Sequence, residues 1–124
     1  MAKANLVEKK VRLKLDEIVK FQIATYCHLE KLTVSEADLD CLVMLGLLGE
    51  SDLSEFCTLI ASKKIFRSTQ TVRNCLVRME NYNLVIKEGL SKKKHIKLNP
   101  NLKVQTTGNI VLIYKIAYIE TPQV

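Results

Sequence analysis

Apolar positions recur with a helical period between about residues 16 and 82, and with period two on either side of that stretch. Lys10-Val-Arg-Leu-Lys-Leu15 alternates basic and apolar residues, which predicts a short strand within 8–15, with Val11, Leu13 and Leu15 on its inner face. Asp16 then stands where it can cap a helix over 17–31. Ile18, Val19, Gln22, Tyr26 and Leu29 would share its buried stripe, widened by Phe21 and Ile23. Ser35-Glu-Ala-Asp38 has the hydroxyl and carboxylate of a capping box and starts a second helix. That helix would bury Leu39, Leu42, Val43 and Leu47 and end at Gly49. Ser51 or Asp52 opens a third helix through about Ala61, with Leu53, Phe56, Cys57 and Ile60 inward.

The connection over 62–67 is polar except for Ile65 and Phe66, two expected anchors onto the core. Ser68 caps a fourth helix over 69–82, in which Val72, Cys75, Leu76 and Met79 form the buried stripe. Gln70, Arg73, Asn74, Val77, Arg78 and Asn81 project from the other side, and Asn83 is the natural stop. Two short strand patterns, 84–87 and 95–98, flank a turn permitted by Gly89, so 87–97 reads as a hairpin with a basic tip. Asn99-Pro100 breaks the pattern. A second strand extension follows over 109–120, with nine apolar residues among the ten from Ile110 to Ile119. Apolar residues on both of its faces predict cover on both sides.

The length of 124 residues fits one domain over 1–124, with a core at about 16–100 and strands at either end. No apolar stretch approaches the roughly 18 residues of a membrane span, and residues 1–10 lack the apolar centre of a secretion signal. A cytoplasmic protein is the expectation. Cys27, Cys41, Cys57 and Cys75 form no Cys-x-x-Cys pair and sit among apolar residues, so they are expected to be reduced and buried. Neither histidine stands at metal-ligand spacing, and no metal is expected. The chain has no Gly-rich phosphate loop, nucleophile elbow or spaced carboxylate pair, so neither an enzyme nor a cofactor is expected.

Charge changes the picture. Residues 1–61 carry 7 basic and 10 acidic side chains, a net of −3. Residues 62–97 carry 10 basic and 2 acidic, a net of +8, which exceeds the +6 of the whole chain. Such an asymmetry points to a surface that meets a polyanion, most often nucleic acid.

The order of strand, three helices, a polar-faced fourth helix and a basic hairpin resembles a winged helix-turn-helix, an α+β fold. It is most similar to the MarR-like group of bacterial and phage DNA-binding proteins. Ser68, Thr71, Val72, Leu76, Met79, Glu80, Leu84 and Val85 occupy the places of that group's Ser cap, Thr-Val pair, Leu-x-x-Leu-Glu stretch and Gly-Leu-Val entry to the wing. Asn83 stands where the group has Gly, and Leu32 to Leu42 resembles its preceding helix. The likeness covers about 32–100. Two features depart from it: the turn over 62–67 is longer, and the flanks read as strands where MarR proteins have dimerising helices.

The resemblance implies a non-enzymatic, double-stranded DNA-binding protein, a transcription regulator in a bacterium or its phage. Helix 69–82 would lie in the major groove and wing 87–97 beside it. Gln70 and Asn74 suit adenine, Arg73 suits guanine, and Arg78 lies on the same face. Ser68 and Thr69 at the helix start, Lys92, Lys93 and Lys94 in the wing, and Lys63, Lys64 and Arg67 in the turn would hold phosphates. The apolar strand 109–120 supports an alternative: a structural or assembly subunit, for example of a phage particle, docking to itself or to another protein.

Overall fold

Apolar side chains from the helices converge on one centre, and their spacing decides which part of each helix faces it. The computed structural model describes residues 3–90 and 93–120. Among them lie four α-helices and two small antiparallel sheets, an α+β arrangement. The helices are α1 (Leu15–Leu29), α2 (Glu36–Leu48), α3 (Leu53–Ser62) and α4 (Thr69–Asn81). The strands are β1 (Lys3–Arg12), β2 (Ser51–Asp52), β3 (Val85–Leu90), β4 (Lys93–Leu98) and β5 (Val111–Glu120).

Three of the helices start as the sequence indicates. Ser35 accepts from the Asp38 amide at 3.1 Å while Asp38 accepts from the Ser35 amide at 3.0 Å, completing a capping box for α2. Asp52 accepts from the Glu55 amide and caps α3. Ser68 and Thr71 make the reciprocal pair for α4. The stripes Leu53, Phe56, Cys57, Ile60 and Val72, Cys75, Leu76, Met79 are buried as spaced, and Ile65 and Phe66 pack half-buried against them. Asn83 follows α4 with φ of 62°, the left-handed conformation that Asn tolerates.

The start of the chain differs. The strand runs over Lys3–Arg12 and not within 8–15, and Leu15 belongs to α1 and is exposed. Glu17 accepts from the Lys14 amide at 3.2 Å, so the helix begins two residues earlier than Asp16 would allow and ends at Leu29. Its buried residues are Ile18, Val19, Ile23 and Cys27, while Leu29 is 72% exposed. In α2, Leu39, Leu42 and Val43 are buried as expected, together with Cys41 and Leu45, and Leu47 is exposed. Both helices carry apolar residues around most of their circumference, so spacing alone does not single out the buried side.

The hairpin strands are longer than their apolar letters suggest. β3 and β4 pair from Val85 opposite Leu98 to Leu90 opposite Lys93. Gly89, at φ 118°, has room for no side chain: a Cβ there would meet the Lys93 carbonyl oxygen at 2.3 Å. The two residues of β2 add a third strand beside β4, which brings the start of α3 onto the hairpin. Ile96 and Leu84 seal it to the core, both at 0% exposure.

Among the described residues β1 and β5 pair only with each other, in ten antiparallel pairs from Lys3 opposite Glu120 to Arg12 opposite Val111. Among them no helix makes an extensive contact with this ribbon. The expected cover on both faces of β5 is incomplete among the described residues: Val111, Ile113, Ile116, Tyr118 and Ile119 are exposed, and Leu112 and Tyr114 are half-buried. Between α1 and the start of β5 lies an open apolar groove of about 560 Å³, lined by Phe21, Tyr26, Leu29 and residues 110–113.

All four cysteines are buried and free. Burial pushes the Cys27 and Cys57 thiols up, and contact with Cys41 together with burial pushes Cys75 up. Thiolates are the nucleophilic form, so these groups should be inert in the folded chain. Titration with a thiol reagent should detect almost none of them in buffer and all four in denaturant. Rapid reaction of one thiol in buffer would show a local opening.

Candidate nucleic-acid interface

The polar side of α4 and its approach from α3 form a cationic part of the described surface. From Phe56 to Met79 the chain has no carboxylate, yet it carries Lys63, Lys64, Arg67, Arg73 and Arg78. Lys63, Lys64 and Arg67 are exposed in the turn between α3 and α4, where Lys64 adopts φ of 60°. Thr69, Gln70 and Asn74 are exposed along the first two turns of α4. The first amides of a helix have no partner within it, so this end also carries partial positive charge.

The side chains expected to read bases are held in different ways. Gln70 Nε2 donates to Asn74 Oδ1 at 3.0 Å, so the two amides form a pair along the helix that leaves Gln70 Oε1 and Asn74 Nδ2 for other partners. Arg73 is half-buried, and one guanidinium nitrogen donates to Ser54 Oγ at 3.2 Å, which lays it back toward α3. Ser68 is occupied by its cap with Thr71. These contacts order the surface; the Arg73–Ser54 and Gln70–Asn74 bonds, both exposed, can exchange for a ligand at low cost.

Arg78 is different. Its guanidinium donates to Asp38 Oδ1 at 2.9 Å, and the Asp38 side chain is only 5% exposed. Burial raises the Asp38 carboxyl, but the Ser35 amide, the Cys75 thiol and Arg78 together outweigh it and hold the group below its ordinary value. Arg78 therefore fastens α4 to the first turn of α2. No local pattern signals this contact, because the two residues are 40 apart in sequence. Asp38 reads in the sequence as a capping residue, and its second oxygen is what the cap leaves free.

In the hairpin, Lys93 and Lys94 are exposed on β4 beside Leu90 and Gly89. Lys92 lies outside the described residues. Lys87 faces Glu80 at 3.8 Å and Lys97 faces Glu88 at 4.0 Å, long contacts at the surface that contribute little to stability.

Comparison with known proteins decides nothing further. No family model matches the chain, and no curated protein or solved structure matches it either. Among the described residues no helix is long and apolar enough to cross a membrane, and no group of three or more His, Cys, Asp or Glu side chains could hold a metal ion.

Proposed function

We propose that this chain is a winged-helix protein that binds double-stranded DNA without catalysing a reaction, and that it serves transcription control in a bacterium or its phage. One observation carries the reading: the carboxylate-free stretch over 56–79 surrounds an exposed amide pair, Gln70 and Asn74, with cations on the helix and the turn before it. Phosphates need the cations, and base edges in the major groove suit the amides. In this arrangement α4 enters the groove, Lys63, Lys64 and Arg67 grip one backbone, and Lys93 and Lys94 reach the other from the hairpin.

Arg78 takes the supporting part of holding α4 on α2. Arg73 reads or grips by releasing Ser54. Mapping the amide NMR shifts of the protein during titration with a short random duplex tests this arrangement. Changes should concentrate at 63–74 and 93–95. Changes confined to α1, β1 or β5 would contradict it.

A second reading, an assembly subunit, draws support from the exposed apolar faces of the β1–β5 ribbon. It needs no basic surface, and the same titration would then show no shift at 63–74.

A further inference from the structure

A two-stranded ribbon is marginal in water unless more strands or another layer join it. Here β1 occupies one edge of β5, and the other edge of β5 pairs with nothing among the described residues. The two outer edges differ in charge. β1 carries Lys3, Lys9, Lys10 and Arg12 against Glu8, the kind of composition that keeps an edge from pairing. β5 carries only Lys115 in its interior and Glu120 at its end, and Lys115 already lies 3.7 Å from Glu8.

We propose that β5 pairs with β5 of a second copy about a two-fold axis, giving a four-stranded sheet in the order β1-β5-β5-β1. Charge selects the strand, since joining β1 to β1 would set a segment of net +3 against itself. Symmetry then limits the register. A two-fold axis normal to an antiparallel sheet places one residue opposite its own equivalent, and every directly opposed pair then lies on one face.

Only two choices, Lys115 or Ile116 at the axis, align nine residues of β5. Placing Lys115 there sets two ammonium groups face to face, which is destabilising. Placing Ile116 there sets Tyr114 of each copy opposite Tyr118 of the other, Ile113 opposite Ile119, and Lys115 opposite Ala117. Aromatic and branched cross-strand pairs of this kind are the favourable ones. Leu112 opposite Glu120, at the ends, is the single mismatch. Ile116, Tyr118, Ile113 and Ile119 are between 51% and 64% exposed in the single chain, so each has surface to contribute.

Sedimentation velocity of the full chain across a concentration series should show a monomer–dimer equilibrium. Ile116→Lys places like charges at the axis and should raise the dissociation constant at least tenfold. Ile116 is more than half exposed, so circular dichroism should find that variant folded. Mild oxidation should cross-link Ile116→Cys to itself, because opposed Cα atoms lie within disulfide reach, and should cross-link Ile113→Cys far less. The native cysteines are buried and do not compete. A wild-type chain that stays monomeric at millimolar concentration would overturn the proposal. So would a dimer indifferent to Ile116→Lys, which would mean another surface or another partner class. Equal cross-linking at 113 and 116 would overturn the register, and the proposal with it.

Discussion

Changing Lys63, Lys64 and Arg67 together to glutamate should lower affinity for random-sequence duplex DNA on the order of a hundredfold at moderate salt. Three phosphate contacts would be lost and three carboxylates set against a polyanion. The salt dependence should change as well: if about six phosphates are engaged, the slope of log affinity against log salt is near −5, and losing three contacts brings it to about −3. The fold should tolerate the change. All three side chains are exposed; a glutamate at 67 complements the N-terminal dipole of α4, while those at 63 and 64, at the C-terminal end of α3, cost about 0.3–1 kcal/mol each. Charge reversal at Lys14, Lys31 and Lys103, all exposed, alters net charge by the same amount. It should weaken binding only a few-fold, which separates a local surface from general attraction.

Arg78→Ala should destabilise the protein by about 1–3 kcal/mol, because it strands the buried Asp38 carboxylate without its charged partner. Urea unfolding measures the loss. Acid should reproduce it. The Asp38 carboxyl is held below its ordinary 3.8, so its contribution to stability is complete above that value and disappears as pH falls through the lower folded value. The stability difference between the wild type and Asp38→Asn should therefore be constant from pH 7 to about pH 5 and close below about pH 4. A difference that persists unchanged to pH 2 would show that the carboxylate charge is not what Arg78 holds. Because α4 is anchored through this pair, Arg78→Ala should also loosen DNA binding through the helix position. The salt slope should stay unchanged, unlike that of the turn variant.

The sequence disclosed most of the helical core and little of what ties it together. In α4 the buried stripe is clear, since Val72, Cys75, Leu76 and Met79 are flanked by polar residues apart from the exposed Val77. In α1 apolar residues occur all around the helix, so Leu29, expected on the buried stripe, is exposed, while Cys27 is buried as expected. β1 was legible only at its C-terminal end, because Lys3 to Glu8 does not alternate cleanly and its strand form depends on β5, more than 90 residues away. β2 is two residues long, below any periodic signal. For the candidate interface, the charge of the segment and the exposure of Gln70 and Asn74 followed from sequence. The Arg78–Asp38 pair and the Arg73–Ser54 contact required the tertiary structure, since each links residues that no local spacing relates.

Paired with β1 on one edge and exposing Val111, Ile113, Ile116, Tyr118 and Ile119, β5 gives the molecule a second surface of different character from the first. A basic helix face suits a charged, hydrated partner. An uncharged strand edge suits another strand. Both can operate in one protein, because the ribbon and α4 are separate elements of the fold, and the free edge of β5 needs nothing from the basic face.

The most direct measurement is fluorescence anisotropy of a labelled random duplex titrated with the full chain at several salt concentrations. The duplex should bind at low salt and its affinity should fall roughly a thousandfold between 50 and 200 mM, as expected for a slope near −5. Absence of binding at the lowest salt, or an affinity that salt leaves unchanged, would contradict the proposed DNA binding.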